Sequence, residues 1–472
     1  MSTTTLTLSS EIRVENPPPA LLDWCKINLI VDNPDYQKKL RMGKWLGNTP
    51  PRLYLYRTDA GALILPFGVL REVLAVVKAA SPDGYITAPA FPPPRPVDYA
   101  ATVPLYDYQA PAVEAMAAAK FGILSSPAGS GKTQMGIALI ARLGIKTLWL
   151  THTRDLLKQS MERAALYMDK SLFGTITAGK VDIGAGITFA TVQTLAAQDL
   201  TQYRDVWDCV IVDECHRVAG SPTAMTQFGR VLSHISARRK YGLSATVHRA
   251  DGLIKCTHAY LGPIAYTVPA EAVAGKVMAV RIRRRLTGVP LHRSCLDTDG
   301  TLCYAKLIQY LTEHSDRNRL IVSDLIANRD HFNLILSDRL DHLRCLMEAL
   351  PADLRAKAVM IDGSQTSKRG LAEREAAIQA MRTGDKRYLF ASYRLAKEGL
   401  DIPRLDRLYL TTPQTDYAVV TQSVGRIART HPAKADPICY DYVDAAEYLV
   451  RAWKMRCRHY RKAGGVIEEA DV

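Results

Sequence analysis

The segment SSPAGSGKT, at residues 125–133, has the residue types and spacing of a phosphate-binding loop. Its glycines let backbone N–H groups close around phosphate oxygens, and a helix beginning at Lys132 would direct its positive end toward them. Lys132 would reach the β- and γ-phosphates of a nucleotide, and the Thr133 hydroxyl would hold Mg²⁺. A chance glycine-rich turn is the alternative, because Ser126 stands where the motif usually has glycine. We expect the nucleotide site to include Ser126, Pro127, Ala128, Gly129, Ser130, Gly131, Lys132 and Thr133.

Two adjacent carboxylates follow in the segment DCVIVDECHR, at residues 208–217, which is typical of a buried strand that ends at the carboxylates. In a nucleotide hydrolase, Asp213 would bind Mg²⁺ through water, and Glu214 would orient and deprotonate the attacking water. The alternative is a solvated Asp-Glu pair at a strand end. The position of His216 beside them indicates a coupling role, with a surface histidine as the alternative.

The elements that must position these residues are short apolar runs that alternate with helical stretches. Such alternation is the signature of parallel α/β sheets. The runs fall into two sets of five, separated by residues 244–333, which lack the alternation. We therefore predict two α/β domains in tandem. The runs are FGILS, KTLWL, ITFAT, DCVIV and KYGLS in the first set and NLILS, KAVMI, YLFAS, DRLYL and PICY in the second.

Composition supports an ordinary globular chain. The 472 residues are 47% hydrophobic and 23% charged, which excludes the collagen, coiled-coil and low-complexity classes. An excess of 61 Lys and Arg over 47 Asp and Glu gives a net charge of +14, which favours a polyanionic partner such as nucleic acid. Neither a signal peptide nor a bilayer-length apolar stretch is visible, so we expect a soluble intracellular protein without a membrane partner. Nine cysteines without a CxxC pair argue against a disulfide framework and a zinc site.

A proline-rich stretch at residues 91–104, FPPPRPVDYAATVP, predicts a stiff extended connector. We therefore predict a small α+β N-terminal accessory domain over residues 1–98. The first α/β domain would take residues 99–262 and the second residues 263–445, followed by a short basic tail at residues 446–472. Because every motif lies beyond the connector, we expect a chain without the accessory domain to fold and to keep its hydrolytic activity.

Five motifs occur in the order found in superfamily 2 helicases, and the chain resembles that family over roughly residues 100–445. The segment GLSATVHRADG and the layout of the chain are most similar to the DNA-directed, DECH-box branch that includes XPB-type and phage UvsW-type helicases. The resemblance implies two RecA-like domains that bind ATP and Mg²⁺ and move along nucleic acid, with DNA preferred over RNA and forked or branched DNA as a candidate substrate. It adds the cytoplasm of a phage-infected cell as a setting. The motifs are SPAGSGKT, DECH, GLSAT, EGLDIP and QSVGRIAR.

Further nucleotide-site residues follow from the resemblance. The segment QSVGRIAR would place Arg426 and Arg429 on one helical face, where both guanidinium groups can reach the γ-phosphate. A solvated face is the alternative for this pair. Gln109 resembles the adenine-reading glutamine of the family, although Asp107 replaces the usual basic residue before it and an ordinary helix-start polar residue remains the alternative. Asp401 and Gly399 would line the cleft from the second domain. The residues that link hydrolysis to motion would be His216, Ser244, Thr246 and Gln422, with an ordinary strand terminus as the alternative for Ser244 and Thr246.

The candidate nucleic-acid contacts are less specific and also follow from the resemblance. The segments THTRDLLKQ, at residues 151–159, and TVQTL, at residues 191–195, match family positions that touch the phosphate backbone. Small hydroxyl groups and helix N-termini suit such sequence-independent binding. Arg249 and Asp251 stand where XPB-type helicases carry an Arg-Glu-Asp element tied to strand separation, but the middle residue here is Ala250. Translocation is therefore a safer expectation than duplex melting. Basic clusters at residues 281–285 and 453–462, and a basic run at residues 38–44, are either nucleic-acid contacts or solvated faces. The expected DNA contacts are Thr153, Arg154, Thr191, Gln193 and Arg249.

Three other functions stay open. Within the family, the chain could be a duplex DNA translocase that never separates strands, or an RNA helicase. A protein of a different class would bind nucleic acid without hydrolysing ATP, but it would have no need of Glu214 or the arginine pair. The sequence leaves the oligomeric state open, with a monomer as the default.

Overall fold

The computed structural model describes residues 3–468, apart from residues 42, 44, 82–83, 128, 178, 219, 222–223, 246–251, 270, 274–277, 364–366, 398–399 and 433. The chain forms two compact units, with the main division between Pro269 and Ala270.

The first unit contains seventeen of the strands and nine of the α-helices of the described chain. Its strands are β1 (Thr4–Leu8), β2 (Glu11–Glu15), β3 (Ile30–Asp32), β4 (Arg52–Tyr54), β5 (Arg57–Asp59), β6 (Ala62–Pro66), β7 (Tyr85–Pro89), β8 (Phe121–Ser125), β9 (Thr147–Thr151), β10 (Phe173–Thr177), β11 (Lys180–Val181), β12 (Ile187–Thr191), β13 (Cys209–Asp213), β14 (Gly220–Ser221), β15 (Ala224–Met225), β16 (Arg239–Ser244) and β17 (Ile264–Thr267). Its helices are α1 (Pro19–Asn28), α2 (Pro34–Arg41), α3 (Leu70–Ala80), α4 (Gln109–Ala119), α5 (Lys132–Leu143), α6 (Arg154–Ala164), α7 (Val192–Ala196), α8 (Gln227–His234) and α9 (Ile254–Leu261).

The strands and helices of the second unit continue the same numbering. Its strands are β18 (Arg281–Pro290), β19 (Asn333–Ser337), β20 (Ala358–Ile361), β21 (Tyr388–Ser392), β22 (Arg407–Leu410), β23 (Ile438–Ala445) and β24 (Val466–Ile467). Its helices are α10 (Tyr304–Glu313), α11 (Ser315–Ala327), α12 (Leu340–Glu348), α13 (Ala352–Arg355), α14 (Lys368–Thr383), α15 (Tyr393–Lys397), α16 (Tyr417–Ile427) and α17 (Glu447–Lys462).

The N-terminal part of the first unit is a small α+β arrangement, as predicted. Its sheet has the strand order β5-β6-β2-β1-β7, in which β1 and β7 are parallel and the other neighbours are antiparallel. Alternate residues of β1 and β2 are buried, because successive side chains of a strand point to opposite faces. Helices α1 and α3 cover this apolar face.

The nucleotide-binding motifs lie on an eight-stranded sheet with the order β11-β10-β12-β9-β13-β16-β8-β17. All neighbours are parallel except β10 and β11. The five predicted runs correspond to β8, β9, β12, β13 and β16, and the first four of these are buried at every residue. Strands buried on both faces read as continuous apolar runs, which is why the sequence predicted them. Their carboxyl ends meet at one edge, where the motif residues follow.

The N-terminal part shares its apolar core with α9 of the α/β part. Cys256 and Ala259 of α9 belong to the same buried cluster as the N-terminal strands. Gly68 permits this approach, because a Cβ at that position would lie less than 3.0 Å from backbone atoms of His258 and Ala259. These contacts argue against the expectation that the motif-bearing part folds without residues 1–98.

A buried lysine adds a polar link between the same two parts. The Lys240 ammonium, on β16, donates hydrogen bonds to the Ser10 carbonyl at 2.7 Å and the Leu232 carbonyl at 2.9 Å. It also lies 5.2 Å from the ring centre of Phe67. The proline-rich connector is likewise held, because Arg95 pairs with the buried Asp208 at 3.2 Å. Residues 1–98 are therefore an integral part of the first unit.

The second unit has a seven-stranded parallel sheet with the order β20-β21-β19-β22-β23-β18-β24. The five predicted runs correspond to β19 through β23. Buried clusters cover both faces of this sheet. It therefore has the layered α/β architecture that the sequence predicted.

Two boundaries differ from the sequence-based division, and one strand of the second sheet was not predicted. Strand β17 pairs with β8, so the first domain extends beyond residue 262. Strand β18 lies in the region without predicted alternation, and it contains the basic cluster at residues 281–285. The predicted tail at residues 446–472 instead supplies α17 and β24, and β24 pairs with β18. The basic residues of β18 and α17 concealed the packing of these two elements, because their partners on the sheet lie elsewhere in the sequence.

Within the described residues, no helix is both long and apolar enough to cross a bilayer.

Candidate active site

The phosphate-loop segment runs from the end of β8 to the start of α5, which is the strand-loop-helix context that the motif needs. Gly129 and Gly131 have φ values of 81° and 82°, a conformation that side-chain-bearing residues rarely adopt. The Ser126 N–H donates to the Ser244 carbonyl at 3.0 Å, so the loop begins against β16. The first N–H groups of a helix have no partner within the helix, which leaves the start of α5 suited to phosphate oxygens. The loop backbone therefore has the form of a phosphate cradle.

Gln109 lies directly against this loop. Its side chain is 1% exposed at the start of α4, and its Oε1 accepts a hydrogen bond from the Tyr106 N–H at 2.9 Å. A Cβ at Gly131 would lie 2.5 Å from the Gln109 Nε2 atom, so the amide packs on the glycine. The sequence predicted that both amide groups would read a base edge. In this structure the carbonyl group is engaged within the protein.

The two carboxylates are held at the end of β13. Asp213 is 5% exposed, and its Oδ1 accepts a hydrogen bond from the Glu214 N–H at 2.9 Å. Burial raises the pKa of the Asp213 carboxyl, and the Glu214 carboxylate raises it further, whereas the Lys132 ammonium and the Glu214 N–H oppose the shift. Lys132 therefore acts electrostatically on Asp213. Glu214 has left-handed backbone angles of φ 52° and ψ 47°, a strained conformation that is often found at functional sites.

His216 connects Glu214 to the strand that carries the GLSAT segment. Its Nδ1 atom lies 3.2 Å from a Glu214 carboxylate oxygen and 3.1 Å from the Ser244 hydroxyl. Both His216 and Ser244 are buried. Because the Ser244 carbonyl also accepts from the loop residue Ser126, the phosphate loop, the carboxylate pair and β16 are joined by short contacts. A displacement of the loop, the carboxylate pair or β16 would therefore displace the other two.

The residues present fit a bound Mg²⁺ ion. Carboxylate and hydroxyl oxygens are the ligands that this ion prefers, and the sequence places Asp213 and Thr133 in that role. Burial disfavours the charged form of Asp213, and a nearby cation would favour it. A buried carboxylate at the end of β13 is therefore consistent with the predicted metal position.

The second unit carries the remaining nucleotide-site residues. Helix α16 ends at Ile427, so Arg426 lies in its last turn and Arg429 lies beyond it. The prediction that both arginines share one helical face is therefore wrong. Arg426 donates to the carbonyls of Ala396 at 2.9 Å and Leu400 at 3.2 Å.

Asp401 lies between two arginines. Arg429 forms an ion pair with its Oδ1 atom. Arg382, on α14, approaches its Oδ2 atom at 3.7 Å and donates to its carbonyl at 2.7 Å. Gln422 is buried on α16, 8% exposed. Asp401, Arg429 and Arg382 therefore form one polar cluster of the second unit. Arg426 binds the carbonyl of Leu400, which is next to Asp401 in the sequence.

The candidate nucleic-acid contacts lie on neighbouring strands of the first sheet. Thr153 is the N-cap of α6, where its hydroxyl accepts from the Leu156 N–H at 3.3 Å, and Arg154 beside it is exposed. Thr191 ends β12 and bonds the Thr194 hydroxyl at 2.9 Å. The Gln193 amide lies 3.0 Å from the His152 ring, which joins the two groups. The structure thus brings these four residues to one edge of the sheet.

Two features of the site were missed by sequence reasoning. His152 connects the two candidate contact segments, and its position inside the segment THTRDLLKQ was an available signal. Arg382 had no such signal, because it lies on a separate helix from the motif. Four predicted residues lie outside the described part of the chain, namely Ala128, Thr246, Arg249 and Gly399.

The chain matches known proteins over both units. Residues 102–249 match the family described as Type III restriction enzyme, res subunit, and residues 304–431 match the helicase conserved C-terminal domain. The putative ATP-dependent RNA helicase L396 of Acanthamoeba polyphaga mimivirus is 29% identical, over 68% of this chain and 60% of that protein. The DNA 3'-5' translocase XPB2 of Sulfurisphaera tokodaii is 26% identical, over 71% of this chain and 80% of that protein.

Solved structures agree on the fold. The structure of S. cerevisiae Dbp5 bound to RNA and ADP BeF3 has a TM-score of 0.53 and 13% identity, over 78% of this chain and 95% of that chain. The two parallel sheets and the phosphate loop define a class of P-loop proteins with two RecA-like domains. Within that class, the two family matches and the XPB-type relatives show that the chain belongs to the superfamily 2 helicases.

Proposed function

We propose that the protein hydrolyses ATP and uses the energy to move along DNA. The observation that carries the proposal is the arrangement at the carboxyl edge of the first sheet. There Asp213 is buried and accepts a hydrogen bond from the Glu214 N–H, and His216 connects Glu214 to Ser244. We assign Lys132, at the start of α5, as the phosphate-binding cation, Asp213 as the metal-binding carboxylate and Glu214 as the base, with His216 as the connection to the rest of the sheet.

In the proposed reaction, Glu214 accepts a proton from water while the water oxygen attacks the γ-phosphorus and the bond to the β-phosphate oxygen breaks. Bound Mg²⁺ would neutralise charge on the phosphate oxygens, with Asp213 and Thr133 holding it. Lys132 would stabilise the same charge from the loop. Arg426 and Arg429 of the second unit are proposed to contribute when a nucleotide is bound.

DNA is the proposed track because the DECH and GLSATVHRADG segments resemble the DNA-directed branch, and one relative is named a DNA translocase. Another relative is named an RNA helicase, so RNA is the second candidate. The net charge of +14 suits either polyanion. Forked or branched DNA is the proposed substrate form.

The test is steady-state ATP hydrolysis by the full chain with single-stranded, duplex, forked and four-way DNA and with RNA. We expect stimulation by DNA to exceed that by RNA. Glu214→Gln keeps the side-chain shape and removes the base, so turnover should fall at least about a hundredfold while ATP and DNA still bind. Lys132→Ala should abolish hydrolysis as well. Stimulated turnover at the wild-type rate in either variant would refute the proposal.

Strand displacement and displacement of a third strand from duplex DNA, measured on the same substrates, separate the two modes of action. Displacement of a third strand alone would indicate a duplex translocase. Unwinding of the duplex would indicate a helicase. A protein that binds DNA with no ATP turnover would belong to the non-hydrolysing class.

A further inference from the structure

Helix α17 has two faces with different chemistry, and the inner face fixes how the helix is turned. Trp453, Arg456 and Tyr460 are buried against the second sheet. Arg456 donates two hydrogen bonds to the Asp441 carboxylate, both at 2.7 Å, and the Tyr460 hydroxyl donates to the same carboxylate at 2.5 Å. Breaking such a buried ion pair is costly, and a rotation of α17 about its axis would break it. The rotation of α17 is therefore well determined.

The outer face of α17 is a basic stripe. Five of its residues are exposed cations, and at 100° per residue they lie within an arc of about 100° and along roughly 16 Å of helix. Arg451 pairs with Glu447. Among the described residues, the other four members form no ion pair, and the Lys462 ammonium lies 5.9 Å from the centre of the Tyr417 ring. The members of the stripe are Arg451, Lys454, Arg458, Arg461 and Lys462.

The basic stripe differs from the other basic cluster of this unit, in which most of the arginines have carboxylate partners. On β18, Arg283 pairs with Glu468 at 2.6 Å and Arg285 pairs with Asp324 at 2.9 Å. These ion pairs contribute to the stability of the sheet. The stripe on α17 has one such partner, so most of its charge faces solvent.

We propose that the basic stripe of α17 binds the phosphate backbone of the nucleic acid on which the protein acts. This inference rests on the proposed function and names a contact surface for it. A duplex carries one negative charge for about every 1.7 Å of its axis, so several phosphates face a stripe of this length. Long cationic side chains on a rigid helix suit such backbone contacts, which carry no sequence information.

The inner face also joins the stripe to the helix that carries the motif arginine. Arg456 donates to the Gln414 carbonyl at 3.2 Å, and a His459 ring nitrogen lies 3.3 Å from the Thr415 carbonyl. The His459 ring packs edge-on against Tyr417 at 5.0 Å. Tyr417 is the first residue of α16, on which Arg426 lies. Nucleic acid bound to the stripe would therefore lie close to the start of α16.

The test compares two triple variants of the full chain that remove the same charge. One carries Lys454→Gln, Arg458→Gln and Arg461→Gln. The control carries three substitutions of exposed arginines on other helices of the second unit, Arg319→Gln, Arg344→Gln and Arg369→Gln. Equal unfolding midpoints establish that both variants fold. The measurement is the affinity for a labelled DNA duplex, by fluorescence anisotropy, at salt concentrations from 50 to 200 mM.

For the stripe variant, we expect at least about a tenfold loss of affinity at low salt and a salt slope shallower by about 0.9 for each lost phosphate contact. Three lost contacts would remove a factor of about 40 from the affinity change across this salt range. The control should match the wild type. An equal loss in both variants, or wild-type affinity and slope in the stripe variant, would overturn the inference while leaving the proposed function intact. A wild-type chain that binds no nucleic acid would instead refute the proposed function as well.

Discussion

Gly242 allows the carboxylate segment to pack against β16, and its replacement by alanine tests the site most directly. A Cβ there would lie 2.6 Å from the Cys215 sulfur, 2.9 Å from the Cys215 Cβ and 3.0 Å from a Leu261 methyl carbon. Cys215 and Leu261 are both buried, at 1% and 0% exposure, so neither can turn toward solvent. Cys215 directly follows Glu214. The added methyl group therefore forces the segment that holds the proposed base to move.

The size of the effect follows from these distances. Overpacking of a well-packed core costs about 1–3 kcal/mol, so the free energy of unfolding of Gly242→Ala should fall by that amount. Contacts of 2.6 Å and 2.9 Å require Cys215 to move by several tenths of an ångström or more. A misplacement of about 1 Å can cost a hundredfold in rate. We therefore expect kcat for ATP to fall about tenfold or more.

Urea unfolding and steady-state ATP hydrolysis are the assays, with a second substitution to identify the contact. Cys215→Ala removes the sulfur, so in the double variant it should restore part of the stability and rate lost in Gly242→Ala. The two effects should therefore be compensating and not additive. Gly363→Ala is the control for stability, because within the described part of the chain the closest atom that its Cβ would meet is the Leu395 Cγ, at 4.0 Å. Wild-type stability and rate in Gly242→Ala, or additive losses in the double variant, would refute the reasoning.

Three further predictions concern the N-terminal part and its contacts. Gly68→Ala should lower the free energy of unfolding by about 1–3 kcal/mol, because its Cβ meets the backbone of α9. A chain without residues 1–98 should lose more stability, since the deletion exposes Cys256 and Ala259. Denaturant midpoints equal to that of the full chain would contradict both expectations. Burial lowers the pKa of Lys240 to about 7, with the Glu11 carboxylate opposing, so the unfolded chain holds this proton up to about pH 10.5 while the folded chain releases it near pH 7. The free energy of unfolding of the wild type, relative to Lys240→Met, should therefore rise between about pH 7 and pH 10, by at most about 1.4 kcal/mol per pH unit, and a difference that does not vary with pH would count against this assignment.

The central strands of both sheets could be predicted because each is buried on both faces. Such strands read as short apolar runs whatever their neighbours are, and all ten predicted runs are strands. Strand β18 escaped prediction because its arginines interrupt the apolar pattern. Arg285 pairs with Asp324 and Arg283 pairs with Glu468, and both carboxylates lie far away in the sequence. Composition over a short window cannot show that such partners exist.

The arginines of the site show the same limit at closer range. The spacing of Arg426 and Arg429 suggested one helical face, but α16 ends at Ile427. The ion pair between Arg429 and Asp401 then sets the direction of its side chain. Arg382, the other partner of Asp401, comes from a separate helix. A helix end and two long-range contacts therefore decided what the motif alone left open.

The sequence by itself determined the phosphate loop, the carboxylate pair and the two sheets, because these depend on local requirements. Gly129 and Gly131 must adopt positive φ, and the strands must be apolar, wherever they lie in the fold. Only the tertiary structure decided that residues 1–98 share a core with α9 and that the predicted tail belongs to the second sheet. Those outcomes depend on which buried surfaces and charges meet. The sequence contains both partners of each contact, but it does not show which residues come together.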